Sequence, residues 1–448
     1  MGVIVSDRRT LIVGLGKTGL SCVRYLAAQG RKLAVADTRE APPGLAELQA
    51  GWPDVEVHLG PFNSELFSGF SELIVSPGVN VAEPAITAAA ASGARIRGDI
   101  DLFAVAADAP IVAITGSNGK TTVTTLVADM ARDAGYQVAV GGNIGTPALD
   151  LLNTGARLYV LELSSFQLET TDELNALAAT VLNVSDDHMD RYPDKMAYYQ
   201  AKQRIFRGCQ YAIVNLDDAL STPMARNTLR FICFGMNRVN PETFSTRDDS
   251  VSGHPWVTWG LDNLIRADEL GLIGRHNLSN VMAALGLGKA AGLPMDSMLK
   301  TARAFHGLPH RCESIRLVNG VEYINDSKGT NVGATVAALD SLAPVSGKIV
   351  LIAGGDGKGT DFNPLAEPAR RHCRAVVLIG RDAAQLQKVL AQGPAIYIEN
   401  SLADAVANAA RLAQPGDRVL LSPACASLDM FRDYIDRGER FRTLVEAL

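Results

Sequence analysis

The stretch that decides the fold is IVAITGSNGKTT, residues 111–122, in which an apolar strand runs through a glycine turn into a helix. It departs from the standard phosphate-loop pattern because Ile114 occupies the place of the first glycine. The two remaining glycines still present backbone N–H groups to phosphates, Lys120 can reach the β- and γ-phosphates, and the Thr121 hydroxyl can bind Mg²⁺. We therefore expect a nucleotide-phosphate loop, although a short glycine turn before a helix also occurs without a ligand.

Apolar, β-branched runs alternate with helix-like stretches along the whole chain, which is typical of parallel α/β sheets. A length of 448 residues exceeds what one hydrophobic core usually supports. We expect three α/β domains: a Rossmann-like domain over residues 1–98, a P-loop ATPase-like domain over 99–306 and a second Rossmann-like domain over 307–448. An irregular stretch from Thr222 to Asp268 predicts an added antiparallel element in the middle domain.

The periodicity predicts individual elements in each domain. Helices are expected over Thr18–Gln29, from Lys120 to Gly135 and over Asn277–Ala291. Strands are expected at Thr10–Val13, Leu33–Ala36, Leu73–Val75, Ile111–Thr115, Val138–Val140, Leu158–Leu163, Ala179–Val184, Ala212–Asn215, Val321–Asn325, Lys348–Ala353, Ala375–Ile379 and Val419–Ser422.

Composition excludes several classes of protein. The formal net charge of −6 argues against a general nucleic-acid or anionic-membrane binder. No apolar run reaches the ~18 residues that a membrane span needs. The six cysteines are scattered and form no Cys-x-x-Cys pair, so reduced thiols in the cytoplasm fit better than a metal cluster or disulfide framework. We predict a cytoplasmic protein without nucleic-acid partners or membrane insertion.

A second glycine motif, GLGKTG at residues 14–19, lies between a predicted strand and a predicted helix. Asp37 closes the next strand about 20 residues further on, where dinucleotide-binding proteins keep a ribose-binding acid. Alone, the motif predicts an NAD-dependent dehydrogenase. The backbone N–H groups and the helix N-terminus of such a loop can bind the phosphates of any nucleotide diphosphate, including UDP. A turn of this kind also occurs with no ligand. Lys17 lies within this motif and could add a phosphate contact.

Polar residues near the middle-domain strands suggest a metal site. Glu162 lies inside an apolar strand, where a carboxylate is costly to bury without a cation. His188 follows another strand, in a loop on the side where open α/β sheets bind ligands. It could be a metal ligand, a catalytic group or simply exposed. From spacing alone, Lys202 is interpreted as a solvated helix residue.

Eight motifs resemble those of the Mur ligases, and they occur in order through all three domains. They are TGSNGKTT (115–122), LELSSFQL (161–168), DHMDRY (187–192), GRHN (274–277), LPHR (308–311), NDSKGTN (325–331), GGDGK (354–358) and LSPACASLDMF (421–431). The resemblance implies an ATP-dependent amide-forming ligase. It would phosphorylate the terminal carboxylate of UDP-N-acetylmuramoyl-L-alanine, and D-glutamate would then attack the acyl phosphate. The family also implies two Mg²⁺ ions and small-molecule substrates only. We expect a monomer, although no feature of the sequence determines the oligomeric state.

The resemblance assigns roles to individual residues. The catalytic group would be Lys120, Glu162, His188 and Lys202. The metal ligands would be Thr121, Glu162, His188 and Lys202, the last as a carbamate. ATP would be bound by Gly116, Ser117, Asn118, Gly119, Lys120, Thr121, Thr122, Asn277, Arg311 and Asp326. The UDP-sugar would be bound by Thr18, Asp37, Thr38, Arg39, Gly78 and Asn143. D-Glutamate would be bound by Lys328, Thr330, Lys358, Ser427 and Phe431.

Three alternatives make different predictions. An NAD-dependent dehydrogenase would leave the second glycine loop and Glu162 unexplained. A folylpolyglutamate synthetase normally lacks the first domain, and the Mur ligase that adds a diamino acid usually carries an Asp-Asn-Pro-Arg-like signature that is absent here. A nucleotide-binding regulatory protein would bind ATP without releasing phosphate.

Overall fold

The computed structural model describes residues 9–189, 191–224, 229–238, 240–249, 253–272, 274–343 and 346–448. Three sheets follow one another along the chain, each flanked by helices. Asp190, within one of the quoted motifs, lies outside the described residues. The mixed α/β architecture with three domains matches the predicted fold class, while the domain boundaries at 98/99 and 306/307 remain predictions.

The first sheet is parallel throughout, with strand order β3-β2-β1-β4-β5. Its strands are β1 (Thr10–Val13), β2 (Leu33–Asp37), β3 (Glu56–Leu59), β4 (Glu72–Val75) and β5 (Arg95–Arg97). The accompanying helices are α1 (Lys17–Ala27), α2 (Leu45–Gly51), α3 (Ser64–Ser68), α4 (Pro84–Ala91) and α5 (Asp99–Ala106). The strand order reverses between β1 and β4, so the first glycine loop opens onto the crevice where such sheets bind ligands.

The second sheet has nine strands in the order β14-β13-β12-β11-β10-β9-β6-β8-β7. They are β6 (Ile111–Thr115), β7 (Val138–Gly142), β8 (Leu158–Glu162), β9 (Ala178–Val181), β10 (Tyr211–Asn215), β11 (Arg230–Gly235), β12 (Thr243–Arg247), β13 (Trp256–Trp259) and β14 (Asp262–Arg266). The helices are α6 (Lys120–Asp133), α7 (Ser165–Glu169), α8 (Lys195–Gln203), α9 (Arg275–Ala290) and α10 (Met295–Ala304). Strand β12 pairs antiparallel with β13, and β13 pairs antiparallel with β14, which confirms the predicted antiparallel element. This element is part of the same sheet, because β12 also pairs parallel with β11.

The third sheet has six strands in the order β15-β16-β20-β17-β18-β19, parallel except for the β15–β16 hairpin. They are β15 (Glu313–Val318), β16 (Val321–Asn325), β17 (Ile349–Gly354), β18 (Cys373–Ile379), β19 (Ala395–Ile398) and β20 (Arg418–Leu421). The helices are α11 (Val332–Leu342), α12 (Ala366–His372), α13 (Ala383–Leu390), α14 (Leu402–Leu412) and α15 (Tyr434–Glu446). Short 3₁₀ turns occur at Ala148–Leu151, Arg204–Phe206, Ala219–Ser221, Ala267–Glu269 and Asn363–Leu365.

Side-chain contacts join the three parts of the chain. Asp150 accepts hydrogen bonds from Ser21 (2.8 Å) and Arg24 (2.6 Å) of α1. Arg311, ahead of the third sheet, donates to the Thr121 hydroxyl at 2.6 Å. Residues that follow strands of different sheets line common cavities. Within the described part of the chain, no helix is long and apolar enough to cross a membrane.

Candidate active site

The phosphate loop joins β6 to α6 and is held from the side by the loop that follows β9. Gly119 adopts a positive φ of 83°, and a Cβ there would come within 2.5 Å of the Asn280 side chain. The amides of Ser117 and Asn118 donate to the carbonyl and side-chain oxygens of Asn183 at 2.9 and 2.8 Å. The strand predicted over Ala179–Val184 ends earlier, at Val181, although the Leu182 amide still donates to the Thr115 carbonyl at 2.9 Å.

Two lysines converge on the phosphate loop. The Nζ of Lys120 donates to the carbonyl oxygens of Gly116 (2.7 Å) and Ser117 (2.9 Å). The Nζ of Lys202 donates to the same Gly116 oxygen at 3.0 Å, and this side chain is 1% exposed. Interpretation of Lys202 as a solvated residue is therefore wrong, because spacing along α8 does not reveal that its inner face covers the loop. Burial, reinforced by the charge of Lys120, lowers the pKa of Lys202 well below its ordinary value.

Glu162 ends β8 next to the phosphate loop and is 2% exposed. Its Oε1 accepts a hydrogen bond from Asn143 at 2.8 Å. Its Oε2 is buried and has no hydrogen-bond partner in the described part of the chain. A buried carboxylate oxygen without a donor is costly unless a cation satisfies it. Thr121 lines the same cavity, and its hydroxyl accepts a hydrogen bond from Arg311 at 2.6 Å. Both predicted ligands of the first metal therefore share one cavity.

A central cavity of about 800 Å³ contains these groups. His188 lies on its wall with its ring against Phe166, at a centroid distance of 4.7 Å, and has a positive φ of 57°. His188 and Lys202, predicted to serve a second metal, therefore share one cavity with Glu162.

A second cavity of about 340 Å³ opens beside the phosphate loop. Of the predicted ATP residues, it is lined by Asn118, Gly119, Thr122, Asn277, Arg311 and Asp326. Asp326 accepts from the Ser422 hydroxyl at 2.7 Å, and burial raises its pKa to about 6. Arg311 and Lys328 line this cavity and the central one, so they flank the passage between them.

A third cavity, of about 630 Å³, lies over the first glycine loop. All predicted UDP-sugar residues line it: Thr18, Asp37, Thr38, Arg39, Gly78 and Asn143. Burial alone would raise the pKa of Asp37, but bonds from Arg39 and from the Leu15 amide outweigh it and lower that pKa to about 2. Gly19 permits the tight turn, since a Cβ there would lie 1.9 Å from the Gly14 oxygen. Asn143 lines both this cavity and the central one.

The residues predicted to bind D-glutamate are only partly brought together. Lys328, Thr330 and Lys358 line the central cavity, whereas Ser427 and Phe431 do not. Lys328 lies 3.8 Å from the centre of the Tyr434 ring, and burial lowers its pKa to about 8. Sequence reasoning missed Tyr434 and Asp356, which also line the cavity. Asp356 belongs to the motif GGDGK and could have been found from it. Tyr434, the first residue of α15, lies outside all the motifs, so nothing in the sequence indicated its role.

Family models for three domains match successive parts of the chain. They are the Mur ligase MurD-like N-terminal domain over residues 8–98, the Mur ligase middle domain over 114–288 and the Mur ligase glutamate ligase domain over 310–425. The chain is thus an α/β ligase of three domains, and it belongs to the Mur ligase family. Members of this family use ATP and Mg²⁺.

Two curated relatives show which members of the family the chain is similar to in sequence. The chain is 74% identical over 448 residues to UDP-N-acetylmuramoylalanine--D-glutamate ligase of Marinobacter nauticus, with all of both chains covered. It is 54% identical over 449 residues to the enzyme of the same name from Pseudomonas aeruginosa, again over the full length of both.

Solved structures share the fold at low sequence identity. A pseudomurein peptide ligase type C from Methanothermus fervidus gives a TM-score of 0.59 at 16% identity, covering 98% of this chain and 100% of that one. UDP-N-acetylmuramate-alanine ligase MurC from Thermotoga maritima also gives 0.59, at 18% identity, with 98% and 99% covered. These likenesses show that the chain shares the fold of these ligases.

Proposed function

We propose that this chain is the ATP-dependent ligase that joins D-glutamate to UDP-N-acetylmuramoyl-L-alanine in peptidoglycan precursor synthesis, releasing ADP and phosphate. The observation that carries the proposal is the position of Asn143. Its side chain lines both the cavity over the first glycine loop and the central cavity, and it donates to Glu162. A sugar nucleotide held in the first cavity would therefore present its far end beside the phosphate loop.

The residues present fit Mg²⁺ at the phosphate loop. Among the described residues no group of three or more His, Cys, Asp or Glu could hold a metal by itself. Mg²⁺ at nucleotide sites instead takes one or two protein ligands and fills its shell with phosphate oxygens and water. The unpartnered Oε2 of Glu162 and the hydroxyl of Thr121 meet that requirement. Bound there, Mg²⁺ would neutralise charge on the phosphates during transfer.

The chain's own groups would then act on three anionic reactants. Lys120 would leave the two loop carbonyls and turn toward the ATP phosphates. Arg311 and Lys328 flank the passage from the nucleotide cavity, so they would meet the γ-phosphate as it moves onto the substrate carboxylate. The D-glutamate amine would attack the resulting acyl phosphate, and inorganic phosphate would leave. Preorganised cations lower the cost of the charge that develops in both steps.

We propose that Lys202 is carbamylated and, with His188, serves a second Mg²⁺. A lysine with a lowered pKa is more often neutral, and only the neutral amine attacks CO₂. The reaction joins the amine nitrogen to carbon and releases one proton, which leaves an anionic carbamate. That anion would bind Mg²⁺, whereas an ammonium group would repel it.

We propose that Lys328, Thr330 and Lys358 bind D-glutamate in the central cavity. Two cations suit an amino acid with two carboxylates. Ser427 and Phe431 would join them if the segment after β20 moves toward the cavity when substrates bind. Enzymes commonly close a loop or domain over the active site in this way.

The cellular setting is also part of the proposal. All six cysteines are free, which suits a reducing compartment, and the substrates are cytoplasmic nucleotides. We propose a cytoplasmic monomer that acts only on small molecules.

Phosphate release from ATP tests the proposed function. It is measured with UDP-N-acetylmuramoyl-L-alanine and D-glutamate together and with each omitted in turn. Sustained release that requires both supports the ligase. Release that ignores D-glutamate, or tight NADH binding with no ATP-dependent activity, would overturn it.

A further inference from the structure

The cavity over the first glycine loop has few charges for a site that binds a diphosphate. Among the described residues that line it, the cations are Lys17 and Arg39 and the anions are Asp37 and Glu83. Arg39 is committed to Asp37 through two side-chain hydrogen bonds of 2.8 and 2.6 Å. This pair contributes no net charge, and Glu83 alone would leave the wall negative. Lys17 is therefore the cation left to balance the phosphates.

The position of Lys17 is unfavourable for the isolated protein. It is the first residue of α1, whose first turn contains no acidic residue and whose N-cap, Gly16, provides no side-chain cap. A helix N-terminus carries partial positive charge, so a lysine there is disfavoured, whereas an anion is stabilised. A side chain that is unfavourable for local structure, and that no other group of the protein stabilises, is expected at a functional site.

The side chain of Lys17 is available for a ligand. It is exposed, and its ammonium group forms no hydrogen bond or ion pair with any residue that the structure describes. Its neighbour Thr18 lines the same cavity, as do Gly14 and Gly16 of the turn. An anion bound at this turn would meet the lysine and the helix N-terminus together.

We propose that Lys17 is a further substrate-binding residue, which contacts the diphosphate of the sugar nucleotide and supplies the positive charge that the Asp37–Arg39 pair does not. This inference rests on the proposed function and deepens it. Other walls of the cavity would hold the uridine. Lys17 would therefore strengthen the binding of ligands that carry the diphosphate and leave the binding of uridine unchanged.

The test compares Lys17→Leu and Lys17→Glu with Lys17→Arg. We expect the KM for UDP-N-acetylmuramoyl-L-alanine to rise about 10-fold in the leucine variant and more in the glutamate variant, with the arginine variant close to the parent. The KM values for ATP and D-glutamate should stay within about twofold, because neither ligand reaches this cavity. Lys300→Glu, at an exposed lysine on α10, controls for the change in net charge.

Binding of UDP and of uridine separates a phosphate contact from a distorted cavity. Calorimetry should show UDP weakened about 10-fold in Lys17→Leu and uridine unchanged. Equal weakening of both ligands, or no weakening of UDP, would overturn the proposal. These outcomes differ from failure of the proposed function, which is absence of D-glutamate-dependent phosphate release in the parent protein while UDP binding remains measurable.

Discussion

Lys120 and Lys202 share one hydrogen-bond acceptor, the carbonyl oxygen of Gly116, at 2.7 and 3.0 Å. Two ammonium groups this close in a buried site repel each other, and Lys120 is among the charges that lower the pKa of Lys202. Carbamylation of Lys202 would replace this repulsion by an attraction to Lys120. Burial first, and then the charge of Lys120, thus favour the neutral, reactive amine at Lys202.

The first prediction concerns Lys202. Lys202→Ala should lower kcat by about 100-fold or more, because the variant cannot supply the carbamate anion. Added short carboxylates should restore part of the activity, which steady-state phosphate release would measure. Lys195→Ala is the matched control, since this lysine lies on the same helix but is half-exposed and pairs with Asp186 at 3.2 Å. Full activity in Lys202→Ala would remove the residue from the site.

A second prediction concerns the unpartnered oxygen of Glu162. Glu162→Gln keeps an acceptor for Asn143 but removes the charge that would bind Mg²⁺. We expect kcat to fall about 100-fold and the Mg²⁺ concentration for half-maximal rate to rise. Glu173→Gln, at an exposed glutamate, should leave both quantities unchanged. An unaltered Mg²⁺ titration in the Glu162 variant would contradict the assignment.

The third prediction uses a buried acid between the first two sheets. Asp99 is 2% exposed, and burial raises its pKa to about 6, although Gln167 donates to it at 3.2 Å. Because the folded state holds this proton more tightly than the unfolded chain, ionisation costs stability as the pH rises from about 4 through 6. Asp99→Asn should therefore be more stable than the parent by about 3 kcal/mol at pH 8 and by less than about 1 kcal/mol at pH 4.

Calorimetric Tm values at the two pH values measure this difference. The Asn side chain can still accept the hydrogen bond from Gln167, so packing is preserved. An equal difference at pH 4 and pH 8 would show that volume rather than charge is responsible.

The fourth prediction concerns a buried arginine behind the central cavity. Arg437 is fully buried and donates to the Ser327 hydroxyl (3.0 Å), the Ser327 carbonyl (2.8 Å) and the Cys425 carbonyl (3.3 Å). It therefore ties the loop that carries Lys328 to the loop that leads to Ser427. Arg437→Met should raise the KM for D-glutamate about 10-fold and lower the Tm, because buried acceptors lose their donors.

The exposed Arg370, on α12, provides the control for Arg437. Arg370→Met should change neither the KM for D-glutamate nor the Tm appreciably. A D-glutamate KM in Arg437→Met equal to that of the parent would show that the two loops do not depend on this tie.

The sequence predicted the buried strands better than the edge strands. All the predicted strands exist. The strands β11–β14 were predicted only as one irregular stretch, and outside that stretch β3, β5, β15 and β19 were not predicted. Each lies at the edge of its sheet and is partly exposed, so its apolar pattern is short or interrupted by charged residues. The edge strand β7 was predicted, because Val138–Val140 is an uninterrupted apolar run. A continuous apolar pattern, rather than membership of a sheet, therefore makes a strand predictable from the sequence.

The residues of the candidate site also differ in how well the sequence predicts them. The glycine loops and Glu162 could be found from residue patterns, because a positive φ or a buried charge constrains the local sequence. Lys202 could not, since its burial depends on contact with Gly116 of the phosphate loop, which is 86 residues away in the chain. The central-cavity position of Tyr434 likewise depends on contact with Lys328, more than 100 residues away in the chain. Family resemblance supplied Lys202 but not Tyr434.

The most direct test of the central claim is the mass of the product. UDP-N-acetylmuramoyl-L-alanine, ATP and Mg²⁺ are incubated with the protein and either D-glutamate or L-glutamate, and the sugar nucleotide is analysed by mass spectrometry. We predict complete conversion to a species heavier by one glutamyl residue with D-glutamate and none with L-glutamate. Equal conversion with both enantiomers, or hydrolysis of ATP without any heavier product, would contradict the account.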